Sequence, residues 1–156
     1  GMLGTLEFNS STLYRYANVA IHELLEQLGD KESVINTLKL FVEAFTNSMP
    51  TGKANSYANQ TLPEAIIVNL RRDRPVNLIT AFEEPVKSSK GNVIVSVRRL
   101  FDELERSEKF VDEPVHTLYL TMEDFSDIKV DGDKEKNLGN LLKQLGSILD
   151  QLISVE

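Results

Sequence analysis

Between Val34 and Met49 the apolar residues Val34, Leu38, Phe41, Val42, Phe45 and Met49 fall at offsets of 0, 4, 7, 8, 11 and 15. Those intervals draw one continuous stripe along an α-helix, which the chain must bury against something else. Asn36, Lys39, Glu43 and Asn47 take the opposite face. Asp30 stands where an N-cap is needed, Glu32 lies in the dipole-favoured first turn, and Pro50 ends the helix. A second stripe, Leu138, Leu141, Leu142, Leu145, Ile148, Leu149 and Leu152, predicts a final helix of the same kind.

Between and before these stripes the pattern changes. Thr5 to Asn9 alternates, and Thr12 to Tyr16 is again rich in strand formers, predicting a long strand broken at Ser10-Ser11. Ile21 to Leu28 reads as a short helix closed by Gly29. The nearly continuous apolar run Glu64 to Leu70 predicts an interior strand, ended by Arg71, Arg72 and Arg74 as a solvated strand end. Leu78 to Val86 is irregular or edge-like because Pro85 cannot donate to a ladder. Val93, Val97, Leu100, Phe101 and Leu104 recur at helical spacing, Val115 to Met122 reads as a strand, and Asp131-Gly132 as a turn with Asp133 as helix cap. Strand, two helices, strand, helix, strand, helix is an α+β order: an antiparallel sheet with packed helices. No repeat, low-complexity tract or linker divides it, so residues 1–156 read as one domain, with Gly1-Met2 an added start.

Composition removes several kinds of chemistry. The chain has no cysteine, which excludes disulfides, thiolate zinc sites and cysteine nucleophiles. No apolar run approaches membrane-spanning length, so the sequence reads as a cytoplasmic protein without a membrane partner. The net charge of −7 is uneven: residues 1–100 hold 11 Lys+Arg against 10 Asp+Glu, residues 101–156 hold 6 against 14. Acidity therefore belongs to the last third, and a local basic site remains open to the rest.

No catalytic constellation emerges. His22 and His116 lack ligand partners, and His116 shares strand parity with Leu118, Leu120 and Met122, which marks a core-edge histidine. Asp131 to Glu135 resembles a calcium loop only at its start, since Lys136 and Leu142 stand where an EF-hand wants glycine and glutamate. Glu123, Asp124 and Asp127 read as a solvated face, and no two carboxylates pair for acid–base work. Ser10 and Ser11 lie in no nucleophile elbow. No cofactor, no metal and no enzymatic activity are expected.

One polar stretch stands out, Pro50-Thr51-Gly52-Lys53-Ala54-Asn55-Ser56-Tyr57-Ala58. A lysine, an amide, a hydroxyl and an aromatic after a glycine turn can hold a phosphate backbone and stack a base. The same set also serves an ordinary surface turn. A Walker loop is excluded, because Asn47 and Ala54 stand where that motif needs glycine and a hydroxyl, and because a helix precedes the loop. Tyr14 and Tyr16, sharing one face of the first strand, carry the same two readings of packing and stacking.

Several segments together resemble, in order, the C-terminal half of the CasC family, the backbone subunit of the type I-E CRISPR Cascade complex. They are L-G-T-L-E-F-N-S at 3–10, Y-R-Y-A-N-V at 14–19, L-E-Q-L-G at 25–29, P-T-G-K-A-N-S-Y-A at 50–58 and A-F-E-E-P-V at 81–86. The likeness implies part of an RRM-like (ferredoxin-like) palm with C-terminal helical additions, the palm's first strand and helix lying upstream in a longer, untruncated chain. It implies a non-catalytic, CRISPR-associated RNA-binding protein of antiviral defence, whose copies polymerise along a CRISPR RNA beside other Cascade subunits. Target DNA is then met indirectly, through the guide. By position, Gly52, Lys53, Asn55 and Tyr57 match the family loop after the second palm helix, and Tyr14, Arg15 and Tyr16 its central strand; these become the expected RNA-binding residues. The isolated piece is expected to bind RNA poorly, and to self-associate or fold its final helix back over the uncovered sheet. A protein–protein interaction module without RNA binding, favoured by the acidic last third, is the competing reading. A hydrolase with scattered active-site residues is a third.

Overall fold

The computed structural model describes residues 11–49, 51, 58, 60–89, 91–125 and 130–153. Four α-helices and three strands follow along them: α1 (Ile21–Leu28), α2 (Lys31–Asn47), β1 (Ala65–Leu70), α3 (Val93–Ser107), β2 (His116–Thr121), β3 (Asp133–Lys134) and α4 (Leu138–Leu152). A 3-10 turn, Ile79–Phe82, precedes α3.

The helix boundaries follow local chemistry. Gly29 closes α1 in the left-handed region, φ 77°, with its N–H on the Leu25 carbonyl. Asp30 Oδ1 accepts from the Ser33 N–H at 2.8 Å and starts α2 as expected. That helix ends at Asn47, two residues short of Met49, and Ser48 is its extended C-cap. The cap of α4 differs from the expectation: Asn137 Oδ1 accepts from the Asn140 N–H at 2.8 Å. Asp133, expected in that role, lies in β3, five residues before α4 begins.

Within the described residues the sheet order is β1-β2-β3, with β1–β2 antiparallel and β2–β3 parallel. The sheet is therefore mixed, where a purely antiparallel one was expected. Antiparallel pairing runs from Ala65↔Thr121 to Leu70↔His116. Among the described residues β2 is the central strand and β1 ends the order. Its residues are half-buried until Leu70, because one edge and part of one face lack a strand or helix among the described residues. β3 approaches β2 so closely that a Cβ on Gly132 would lie 2.7 Å from the Thr117 carbonyl oxygen. Only a glycine fits there.

Alternation divides the sheet into two faces. Leu118, Leu120, Ile66, Val68 and Leu70 point to the side covered by α2 and α4. There they join Val34, Leu38, Leu141, Leu145, Ile148 and Leu149 in one aliphatic core. The two predicted stripes thus close on each other and on the sheet, with Leu118 at 0 % exposure. The other face carries Asn69, Thr117, Tyr119 and Thr121, and Phe101 of α3 meets Tyr119 edge-on at 5.4 Å between ring centres.

Residues 11–20 have no regular secondary structure. The strand expected through Thr12–Tyr16 does not form; Tyr14 and Arg15 within it instead make side-chain contacts to distant elements. The expected Thr5–Asn9 strand, Pro50 and the residues from Gly52 to Tyr57 lie outside the described residues.

Candidate nucleic-acid interface

The run Tyr14-Arg15-Tyr16 is the part of the expected interface that the structure describes. It lies on the irregular segment 11–20, a strap running ahead of α1. Each of its three side chains has a different environment.

Tyr14 is half-buried against the 3-10 turn. Its hydroxyl donates to Asn77 Oδ1 at 3.1 Å and accepts from the Leu78 N–H, also at 3.1 Å. Its ring leans on Phe82, 5.2 Å between centroids. Burial raises the phenol above its ordinary pKa, the Leu78 N–H opposes this, and the nearby Tyr16 adds to it. The Tyr14 hydroxyl is thus a neutral, doubly bonded latch.

Arg15 reaches the other way. Its guanidinium lies over the Phe45 ring, 4.4 Å from the centroid, and Nη1 donates to the Ser48 carbonyl at 3.0 Å. A cation at this place satisfies a carbonyl left open by the end of α2 and complements the helix dipole. Phe45 stacks in turn on Phe41, 5.9 Å away. Phe45 belongs to the apolar stripe of α2, and nothing in the stripe announces that it would host a cation.

Tyr16 is different again. It is 40 % exposed. Among the described residues it makes no hydrogen bond and no ring contact. The structure thus brings Tyr14 and Arg15 onto partners within the fold and leaves Tyr16 partly exposed. Gly52, Lys53, Asn55 and Tyr57 lie outside the described residues, although Arg15 holds the helix end that leads toward them.

Arg71, read from sequence as part of a solvated strand end, is buried instead, its side chain 7 % exposed. It pairs with Asp73 at 2.9 Å, donates to the Arg74 carbonyl at 3.1 Å and also bonds the Asp112 carbonyl. The hydrogen bonds from Arg71, with the Arg74 N–H, hold the Asp73 carboxyl well below the usual range. Arg71 therefore ties two turns together, and only Arg72 and Arg74 of that trio are exposed.

Elsewhere the chemistry is sparse. Among the described residues no three His, Cys, Asp or Glu side chains gather as a metal site. A cleft of about 210 Å³ lies beside Phe101, Tyr119 and Phe125, with the Asp124–Lys134 ion pair (2.6 Å) in its wall. An apolar hollow of about 130 Å³ lies between Leu62, Ile66, Met122 and Leu138. Both are smaller than ordinary small-molecule pockets, which run to about 300 Å³ or more. No helix of the described chain is long and apolar enough to cross a membrane.

An α+β chain with latched polar anchors is the class that this geometry defines. Residues 1–145 match the family model described as CT1975-like protein, and the chain belongs to that family. No curated protein matches it. Among solved structures it is similar to a chain of a CRISPR RNA-guided surveillance complex, with TM-score 0.76 and 25% identity over 83% of this chain and 50% of that one. It is also similar to a chain of a CRISPR RNA-guided surveillance complex, pre-nicking, with TM-score 0.75 and 25% identity over 83% of this chain and 35% of that one. The sequence thus spans half or less of each of these two solved chains.

Proposed function

We propose that this chain is part of a CasC-type backbone subunit, a non-catalytic CRISPR RNA-binding component of a Cascade surveillance complex, working in the cytoplasm. The observation that carries the reading is the likeness to a chain of a CRISPR RNA-guided surveillance complex across 83% of the sequence. In this reading the mixed sheet with α2 and α4 is part of an RRM-like palm, and copies of the protein line a guide RNA beside other subunits. Base pairing then supplies specificity, while the protein holds backbone and shape. Gly52, Lys53, Asn55 and Tyr57 would form the phosphate- and base-contacting loop, continued from the end of α2 that Arg15 clamps. The acidic last third faces away from RNA and serves protein contacts, including self-association.

The test is reconstitution. The whole protein carrying this sequence is co-expressed with a CRISPR RNA and the other complex subunits, and affinity is measured against salt. Lys53→Ala should weaken binding about equally for all RNA sequences and lower the salt slope by about 0.7, the contribution per single-strand phosphate contact. An assembly without RNA, with an unchanged slope in the variant, removes the reading. The interaction-module alternative has one observation in its favour. Phe110 stands 93 % exposed on a turn closed by its own N–H donating to the Ser107 carbonyl at 3.0 Å. RNA-independent capture of a protein partner, lost in Phe110→Ala, would support it instead.

A further inference from the structure

The strap carries its three functional candidates on unequal terms. With no ladder to hold it, residues 11–20 depend on side-chain anchors for their conformation. Tyr14 supplies two hydrogen bonds to the segment before α3, and Arg15 supplies a ring contact and a hydrogen bond to the end of α2. These anchors sit on adjacent residues and pull to separate elements, so the backbone between them is fixed on both sides. Tyr16 follows immediately. It is 40 % exposed, on a backbone that its side chain does nothing to secure among the described residues. A partly exposed aromatic that is held in place yet spends no polar group on the fold among the described residues is suited to stacking, which costs it little entropy.

Charge supports the same assignment. No Asp or Glu occurs between Glu7 and Glu23, so the strap carries no carboxylate to repel a phosphate backbone. Its only formal charge is Arg15, already engaged with Phe45 and Ser48. Residues 101–156, with 14 acids against 6 bases, offer the opposite surroundings.

We propose that within Tyr14-Arg15-Tyr16 only Tyr16 meets the ligand, as a stacking surface for an unpaired base of single-stranded RNA. Tyr14 and Arg15 are positioning residues that set the strap. This rests on the RNA-binding reading above and divides labour among residues that the family resemblance had grouped together.

Residues 1–156 contain no tryptophan, so Tyr16→Trp adds a new emitter, read as the difference from the parent in the reconstituted whole protein. Titrated with labelled single-stranded RNA at low salt, its emission should be quenched as RNA anisotropy rises. Tyr16→Ala should weaken binding about 5- to 150-fold, the range for loss of one base–aromatic stack, with an unchanged salt slope. Tyr16→Phe should bind like the parent, since stacking needs no hydroxyl. Arg15→Ala should leave the salt slope unchanged as well, because its charge is not on a phosphate, and Arg15→Lys should recover part of any lost affinity. Binding without quenching, or Tyr16→Ala within twofold of the parent, overturns the assignment while the RNA reading stands. A slope lowered by about 0.7 in Arg15→Ala also overturns it, by placing that cation on a phosphate. Quenching that follows protein concentration without RNA moves Tyr16 to a protein contact. Absence of RNA binding by the reconstituted whole protein, parent and variants alike, sinks both the assignment and the reading beneath it.

Discussion

Beneath α2 and α4 the sheet is closed almost wholly by aliphatic side chains, from Val34 and Leu38 through Leu118 to Leu145 and Ile148. Around the strap and the turns near Arg71, the long-range contacts are hydrogen bonds, one cation–π pair and tilted rings. The first region is held by area removed from water, which is non-directional and tolerant of small shifts. The second is held by a few directional contacts, each between residues far apart in sequence. The aliphatic layer can therefore act as a rigid base, and the polar region can display side chains without a secondary-structure ladder of its own.

The largest expected effect lies in the aliphatic layer. Leu118 is wholly buried on the central strand, so Leu118→Ala removes apolar contact and leaves a cavity that surrounding helices refill only in part. A loss of about 2–5 kcal/mol in urea unfolding is expected. A loss below about 1 kcal/mol would erase the contrast between the two regions.

Arg71→Ala should come next. Its guanidinium holds Asp73 and the carbonyls of Arg74 and Asp112, and hydrogen bonds from charged groups contribute about 1.5–3 kcal/mol. The cost should fall toward the low end, because Nη1 is buried without a partner among the described residues and its removal relieves that penalty. Arg71→Lys should recover little, since an ammonium cannot fork across two turns. Equal stability for Arg71→Ala and the parent would show that the turns hold themselves.

Tyr14→Phe should cost less again, about 0.5–1.5 kcal/mol by thermal or urea melts, because the ring contact to Phe82 remains while the hydroxyl's bonds go. Its signature is local. Amide exchange should quicken at Leu78, whose N–H loses its acceptor, and stay unchanged in α4. Faster exchange throughout α4 would mean that the strap supports the aliphatic layer after all.

The contrast also explains what was legible in the sequence. Stripes repeat, so α2, α3 and α4 stood out at about the right places, and Asp30 and Gly29 marked helix ends by their own local chemistry. Asn137, directly before the first leucine of the α4 stripe, carried an equally local signal that the acidic turn at Asp131–Asp133 obscured. Directional contacts do not repeat. Nothing in Thr12–Tyr16 shows that Tyr14 will bond residues 77 and 78, or that Arg15 will lie on Phe45; strand propensity loses there to tertiary contacts. Arg71 looked solvated because arginine usually is, and its burial depends on a carbonyl 41 residues away. Of the candidate site, residue types were readable and their partners were not.

The smallest expected effect turns the comparison into a pH experiment. The aliphatic side chains have no titrating group to lose, whereas the polar contacts around them include carboxyls shifted in opposite directions. Asp73 is held down by Arg71, and Asp30 by its cap bonds to Ser33. Their contributions are present above the unfolded pKa near 3.9 and fade as pH falls below it. Glu108 is shifted the other way: desolvation raises it first, then the carboxylates of Glu113, Asp131 and Glu105, against the opposing pull of Arg71. A raised carboxyl means that the folded state binds the proton more tightly, so stability is fullest below the unfolded value of about 4.3 and declines as pH rises through the folded one. Glu108→Gln removes that penalty. The variant should melt slightly above the parent at pH 7, within the roughly 0.5 kcal/mol of a solvent-screened site, and match it below about pH 4. Subtracting the parent at each pH cancels Asp30 and Asp73, which both proteins share. A variant that melts lower than the parent at pH 7 would show that the attraction of Arg71 outweighs burial and crowding, and that Glu108 belongs with the anchors of the polar region.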